Sequence, residues 1–311
     1  KKTYLYSDDF ESGRLHLPIT ISTSARNTGT LAHELGHTLG MGHAGVAQCS
    51  GAAWNDIPQR ENTHRFTGDE TCGSRTYADP FGFMGIHPAK GKAHSGAVAK
   101  DVWGWLREEE DASHRIERVE EDGTFVLSAL SEEHAPGVKA LKVPHGQNKW
   151  LYVEYRTLTN QDGTYTYDQA LLDPHLNLYA GTYQDSNIFS GALLHISRPS
   201  TFSTTTSFLF DGLVDDNDVS LSRPMAFSRH NYALPWGESY IDPMTDTRVS
   251  VNFSAPDDAM LVDVEVGRTD FEAPRVLSYR VDDAVSTSCE VTLHAEVEDA
   301  SGISEAIVIL H

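Results

Sequence analysis

The chain has 311 residues, enough for two or three domains at ~100–200 residues each. Apolar residues make up 39% and charged residues 22%, a globular composition, and no run approaches the ~18 apolar residues of a membrane span. Asp plus Glu outnumber Lys plus Arg by 45 to 24, for a formal charge of −21, which argues against nucleic acid as a partner because phosphate backbones repel such a surface. Solubility is the plain meaning of this charge, and calcium sites or a salty habitat are the sharper ones.

The opening Lys1-Lys2-Thr3-Tyr4 has neither an initiator Met nor an apolar signal core, so the chain is expected to be a mature or internal piece of a longer, secreted precursor. Residues 15–21 alternate apolar and polar side chains as a strand does, and Pro18 confines that strand to an edge or an irregular place. Residues 22–29 form a loop rich in helix caps, and 30–39 read as a short helix stopped by Gly40 and Gly42. Residues 44–80 lack periodicity and read mostly as loop. A second helix is expected over 97–106, with Val98, Val102 and Leu106 on one face.

From residue 113 short β-type runs recur, at 124–130, 137–143, 150–155, 191–196, 248–253 and 260–266. Turn signals such as Asp162-Gly163 and Pro235-Trp236-Gly237 separate them, and the spacing predicts an antiparallel sandwich. A linker at 269–274 precedes further runs at 290–297 and 303–310. Cys49 and Cys72 flank a loop and are able to pair in an oxidising compartment. Cys289 stands alone, as a buried thiol or as one half of a bridge to a cysteine beyond residue 311.

Residues 33–43 carry the chemistry: His-Glu-Leu-Gly-His-Thr-Leu-Gly-Met-Gly-His. Four residues apart on a helix, His33 and His37 share a face. Glu34 is turned by one position, placed to act on a water as general base without binding the metal. Gly40 lets the chain leave the helix and bring back His43 as a third ligand. Three protein ligands leave a fourth position open, the geometry of catalytic Zn2+. A bare pair of histidines around this glutamate is common by chance; the added glycine and third histidine make the pattern specific.

This string resembles the metzincin signature. Met84, in Tyr77-Ala78-Asp79-Pro80-Phe81-Gly82-Phe83-Met84-Gly85, matches the family's Met-turn, whose thioether forms an apolar floor under the ligands. Later segments extend the resemblance over roughly residues 28–266: Lys100-Asp101-Val102-Trp103-Gly104-Trp105, then 150–156, Tyr167-Asp168, 191–196 and Ile241-Asp242-Pro243. Together they look like the gametolysin family and its immune-inhibitor-A-type relatives. The resemblance implies an α+β metzincin-like catalytic domain with a zinc helix, followed by an antiparallel β-sandwich and the start of an immunoglobulin-like β domain. The implied boundaries are 1–112, lacking its N-terminal part, 113–268, and 269–311. Three departures stand out. Ala44 replaces a characteristic polar residue, Ile86 stands where some metzincins have a tyrosine, and only 32 residues precede His33.

The implied activity is that of a secreted zinc endopeptidase acting on extracellular proteins or glycoproteins, with this shortened chain itself only weakly active. The alternative is a non-catalytic zinc-containing binding or adhesion protein. Asp215-Asp216-Asn217-Asp218 is a candidate for Ca2+ or else a solvated acidic turn. His64, His87 and His94 follow the motif as structural histidines or substrate contacts, and Trp103 and Trp105 either line a pocket or pack on the motif helix. Residues 15–21 would offer an extended peptide an edge to pair with, or are a plain core strand.

Overall fold

Strands whose two faces are both covered set this architecture. The runs Trp150–Tyr155 and Gly191–Pro199 are buried at nearly every position, so they sit inside a sheet with material on either side. The structure, a computed structural model, describes residues 2–5, 19–22, 28–49, 72–75, 77, 79, 81–85, 95–108, 114–132, 137–146, 149–158, 163–164, 189–199, 205–210, 232–242, 245–254, 259–267, 275–281 and 293–298.

The first elements are β1 (Lys2–Leu5), β2 (Ile19–Ser22), the helix α1 (Thr28–Thr38), β3 (Met41–Cys49) and β4 (Cys72–Arg75). A short helix α2 (Ala97–Val102) leads to β5 (Arg115–Arg118), β6 (Gly123–Leu127), β7 (Val138–Pro144) and β8 (Trp150–Tyr155). Then come β9 (Gly191–Pro199), β10 (Thr205–Phe210), β11 (Ala233–Pro235), β12 (Ser239–Ile241), β13 (Arg248–Ser254) and β14 (Ala259–Glu265). Last are β15 (Arg275–Val281) and β16 (Leu293–Glu298).

A 12-stranded curled sheet runs β12-β13-β14-β6-β7-β8-β9-β10-β3-β4, with β11 beside β9 and β5 beside β7. It is mixed. Most neighbours are antiparallel, but β3 runs parallel to β10, and β5 and β6 run parallel to β7. β1 and β2 pair antiparallel as a sheet of their own. The contacts divide the chain into Lys1–Gly267 and Arg268–His311, and in the second unit β15 and β16 form an antiparallel pair.

The fold-class expectation is therefore corrected. The described residues do not show a metzincin-like α+β domain with its zinc helix followed by an antiparallel β-sandwich and the start of an immunoglobulin-like β domain. They are mostly β, and one mixed sheet takes in 12 of the 16 described strands. The physical reason lies in β10. Thr205–Phe210 adds to β9 on one side and to β3 on the other, so the strand after the histidine helix is a member of the large sheet.

Smaller differences follow. Helix α1 begins two residues before the expected start and ends one residue early. The stretch expected to be mostly loop contributes β3 and β4, paired antiparallel. Helix α2 stops at Val102 because Gly104, at φ +70°, turns the chain out of the helix. Residues 303–310, His64, His87, His94, Ile86, Cys289 and the 215–218 acidic cluster lie outside the described residues.

Alternation along the strands divides the core in two. Leu151, Val153 and Tyr155 of β8 join Leu194 and Ile196 of β9 and Phe208 and Phe210 of β10 on one face. Tyr152 of β8 faces the other way. It belongs to a second cluster with Ala140, Ile116, Val98, Met41, Ala44 and Met84. This second cluster carries the sheet up to the histidine motif. Asp101 fastens α2 to it, accepting a hydrogen bond from the Tyr152 hydroxyl at 2.6 Å and an ion pair from Lys142 at 2.9 Å.

Candidate metal centre

Helix α1 presents His33 and His37 one turn apart. It ends where Leu39 N–H donates to the carbonyls of Leu35 and Gly36, and Gly40 N–H to His37 O. Gly40 then takes φ +93°, a conformation that disfavours any side chain, and the chain enters β3. His43 sits on that strand. Thr205 N–H donates to Gly40 O, and Ser207 of β10 stands opposite Ala44, so the sheet fixes the third histidine against the helical pair.

The three rings converge. Their centroids lie 4.7 Å apart for His33–His37, 4.7 Å for His37–His43 and 5.3 Å for His33–His43. One nitrogen from each falls within 4.8 Å of the others, a spread that one ion can draw together. Among the described residues this is the one cluster of His, Cys, Asp and Glu side chains placed to hold a metal.

Two backbone carbonyls set the tautomers. His33 Nδ1 donates to Phe83 O, and His37 Nδ1 donates to Met41 O, each at 2.8 Å. A carbonyl only accepts, so Nδ1 carries the proton and Nε2 keeps its lone pair for a metal. Burial also favours the neutral form of His33 and His43. It pulls His33 below its ordinary pKa, and burial with the neighbouring His37 and His33 takes His43 down to about 4. Three converging imidazoles, two of them with Nδ1 committed to a backbone carbonyl, are a donor set that suits Zn2+, so the residues fit the ion.

Glu34 is exposed beside this cluster, close enough for its charge to act on His33 and on Tyr77. Met84 is 2% exposed and packs against α1 at Gly36, where a methyl group would overlap its sulfur. Its carbonyl accepts a hydrogen bond from Ala44 N–H at 2.9 Å. The segment 81–85 therefore touches both halves of the site, His33 through Phe83 O and the His43 strand through Met84 O. Phe83 stacks on Trp103 with centroids 5.3 Å apart, and Trp105 packs against Trp103 at 4.8 Å, so these two tryptophans reach the site through Phe83.

Sequence reasoning passed over two residues that bear on the site. Tyr77 has φ +62°, unusual for a residue with a side chain. Its ring lies 3.6 Å from that of His43 and 5.7 Å from that of His33. Burial and the Glu34 carboxylate both push its hydroxyl pKa up. Asp79 is 4% exposed and accepts Phe81 N–H at 2.8 Å. A polar residue in the otherwise apolar turn before Met84 was the available signal.

No protein-family model, curated protein or solved structure matches this chain.

Proposed function

We propose that this protein is a zinc-dependent endopeptidase that acts on extracellular proteins or glycoproteins. The observation that carries the reading is the convergence of His33, His37 and His43, two of them with Nδ1 engaged by carbonyls, beside an exposed Glu34. Bound there, zinc would supply Lewis acidity toward the scissile carbonyl and toward water. Glu34 takes the proton from the attacking water and returns it to the leaving amide nitrogen, the work of a general base and then a general acid. The histidines would hold the ion, and His33 and His37 do not exchange protons in this scheme, because their Nδ1 protons are committed to backbone carbonyls.

The test is hydrolysis of a broad peptide mixture by the wild type and by Glu34→Gln, each with and without a zinc chelator. The wild type is expected to cleave and to stop on chelation. Glu34→Gln should keep its zinc and lose roughly 10²–10⁴-fold in rate. Near-normal cleavage by Glu34→Gln would remove Glu34 as the base. A wild type that binds one zinc and cuts nothing would favour a non-catalytic zinc-containing binding protein instead.

A further inference from the structure

Four charged or polar side chains lie buried where the segment before Met84 meets the sheet. Asp79, His195, Glu154 and Arg156 are 4%, 1%, 0% and 0% exposed. Such groups leave water at a cost and persist where they are paired. Here they are. Arg156 Nε donates to Glu154 Oε1 at 2.9 Å, and Glu154 Oε2 accepts the backbone N–H of Ala97, at the start of α2, at 2.5 Å. His195 lies between the two carboxylates, with Nε2 3.4 Å from Asp79 Oδ2 and Nδ1 4.0 Å from Glu154 Oε2. Burial pulls His195 toward the neutral form, but Glu154 and Asp79 outweigh it and raise its pKa. With His195 protonated, two anions meet two cations.

The strand register explains why they meet. Tyr152 stands opposite His195, and Glu154 opposite Leu193, so residues 152, 154 and 156 share with 195 the face that carries Met41, Ala44 and Met84. On that face the quartet grips the turn at two points. Asp79 faces His195, and the Arg156 guanidinium lies 5.7 Å from the centre of the Phe81 ring. Asp79 also holds the turn together, accepting Phe81 N–H and donating its own N–H to Ala44 O. Four and five residues after Asp79 are the carbonyls that receive His33 Nδ1 and Ala44 N–H. A cavity of only about 20 Å³ separates Met84, Asp79 and His195, room for one water and little slack.

We propose that Asp79 and His195 are positioning residues of the metal centre, transmitting the rigidity of β8 and β9 to the turn that orients His33 and the His43 strand. The proposal rests on the reading of the three histidines as a metal site. Partners that orient a metal's ligands typically change affinity ~10–100-fold when removed.

The experiment measures zinc affinity by competition with a chromophoric chelator, together with the visible d–d absorption of the Co2+-loaded protein. Asp79→Asn keeps the shape and an acceptor for Phe81 N–H but removes the charge facing His195. Its Kd for zinc should rise at least tenfold, and its Co2+ bands should shift. Asp242→Asn is the control, since it removes the charge from a comparably buried contact, His145 Nδ1 to Asp242 Oδ2 at 2.6 Å, between the residues that follow β7 and β12. It should lose stability while keeping wild-type Kd and Co2+ bands. Should Asp79→Asn fail to fold, His195→Gln, which retains a donor, and His195→Leu, which does not, should rank in zinc affinity as wild type, Gln, Leu.

Wild-type Kd and Co2+ bands in Asp79→Asn, or in His195→Leu, would overturn the proposal while leaving the metal site standing. A wild type that binds neither ion would overturn both.

Discussion

At the scale of the residue, Gly36 decides how closely the helix approaches its support. The spacing of the motif assigns this glycine no role of its own. In the structure its missing side chain is the space that the Met84 sulfur occupies. Alanine is ordinarily better in a helix interior by ~1 kcal/mol, yet overpacking a filled site costs ~1–3 kcal/mol. The second effect should win in Gly36→Ala, because Met84 is anchored through Ala44 N–H and has little room to retreat. Weaker zinc binding and a lower melting temperature are expected. Gly36→Ala combined with Met84→Ala should recover part of the loss, as coupled neighbours do. A double variant no better than the sum of the two singles would show that the two side chains do not compete for this space.

Among the elements, α1 was the most legible and β10 the least. The spacing of His33, His37 and Glu34 gives a helix face directly, and the strand runs over 150–155 and 191–196 are bounded by turn signals that place them within a few residues. Residues 205–210 follow a Ser/Thr-rich stretch, and no local pattern tells a strand that it will join β9 and β3, whose first residues are 150 apart in sequence. The mixed sheet was hidden for that reason. His195 and Glu154 did leave a trace, as single charged or polar residues inside apolar runs, but which partner they meet depends on register. The same pairing gives Cys49 a meaning that spacing alone could not. In the β3–β4 register Cys49 stands opposite Cys72. Antiparallel partners lie ~4.5–5.5 Å apart at Cα, inside the ~4.4–6.8 Å window of a disulfide. Under oxidising conditions peptide mapping should find these two linked, and closing a loop of that length should add ~3 kcal/mol. Alkylation of both thiols in native, unreduced protein would rule the bridge out.

For the molecule as a whole, a buried amine shapes the response to pH. Lys139, 1% exposed on β7, donates to the carbonyls of Ala129 and Glu132 at 3.1 and 2.9 Å. Burial lowers its pKa to about 8, with the Glu132 charge opposing. The unfolded chain holds that proton up to ~10.4, so between these values it binds more protons than the native state, and stability from this group rises with pH. Below about pH 8 the full desolvation cost, on the order of 3 kcal/mol, is present. Denaturation of the wild type and Lys139→Met across pH 7–10 should show a steeper gain in the wild type. Identical slopes would place the Lys139 titration elsewhere.

The parallel pairing of β10 with β3 also orders events in time. On the ribosome the nascent chain exposes His33, Glu34, His37 and His43 long before Phe210 is made. At ~5–20 residues per second, roughly ten to thirty seconds separate the motif from the strand that seats its third histidine. A chain released before residue 205 carries every residue of the motif and none of the neighbour that aligns it. Whatever chemistry the cluster performs is thereby withheld until Phe210 has been made, and no fragment cut close around the motif should reproduce it.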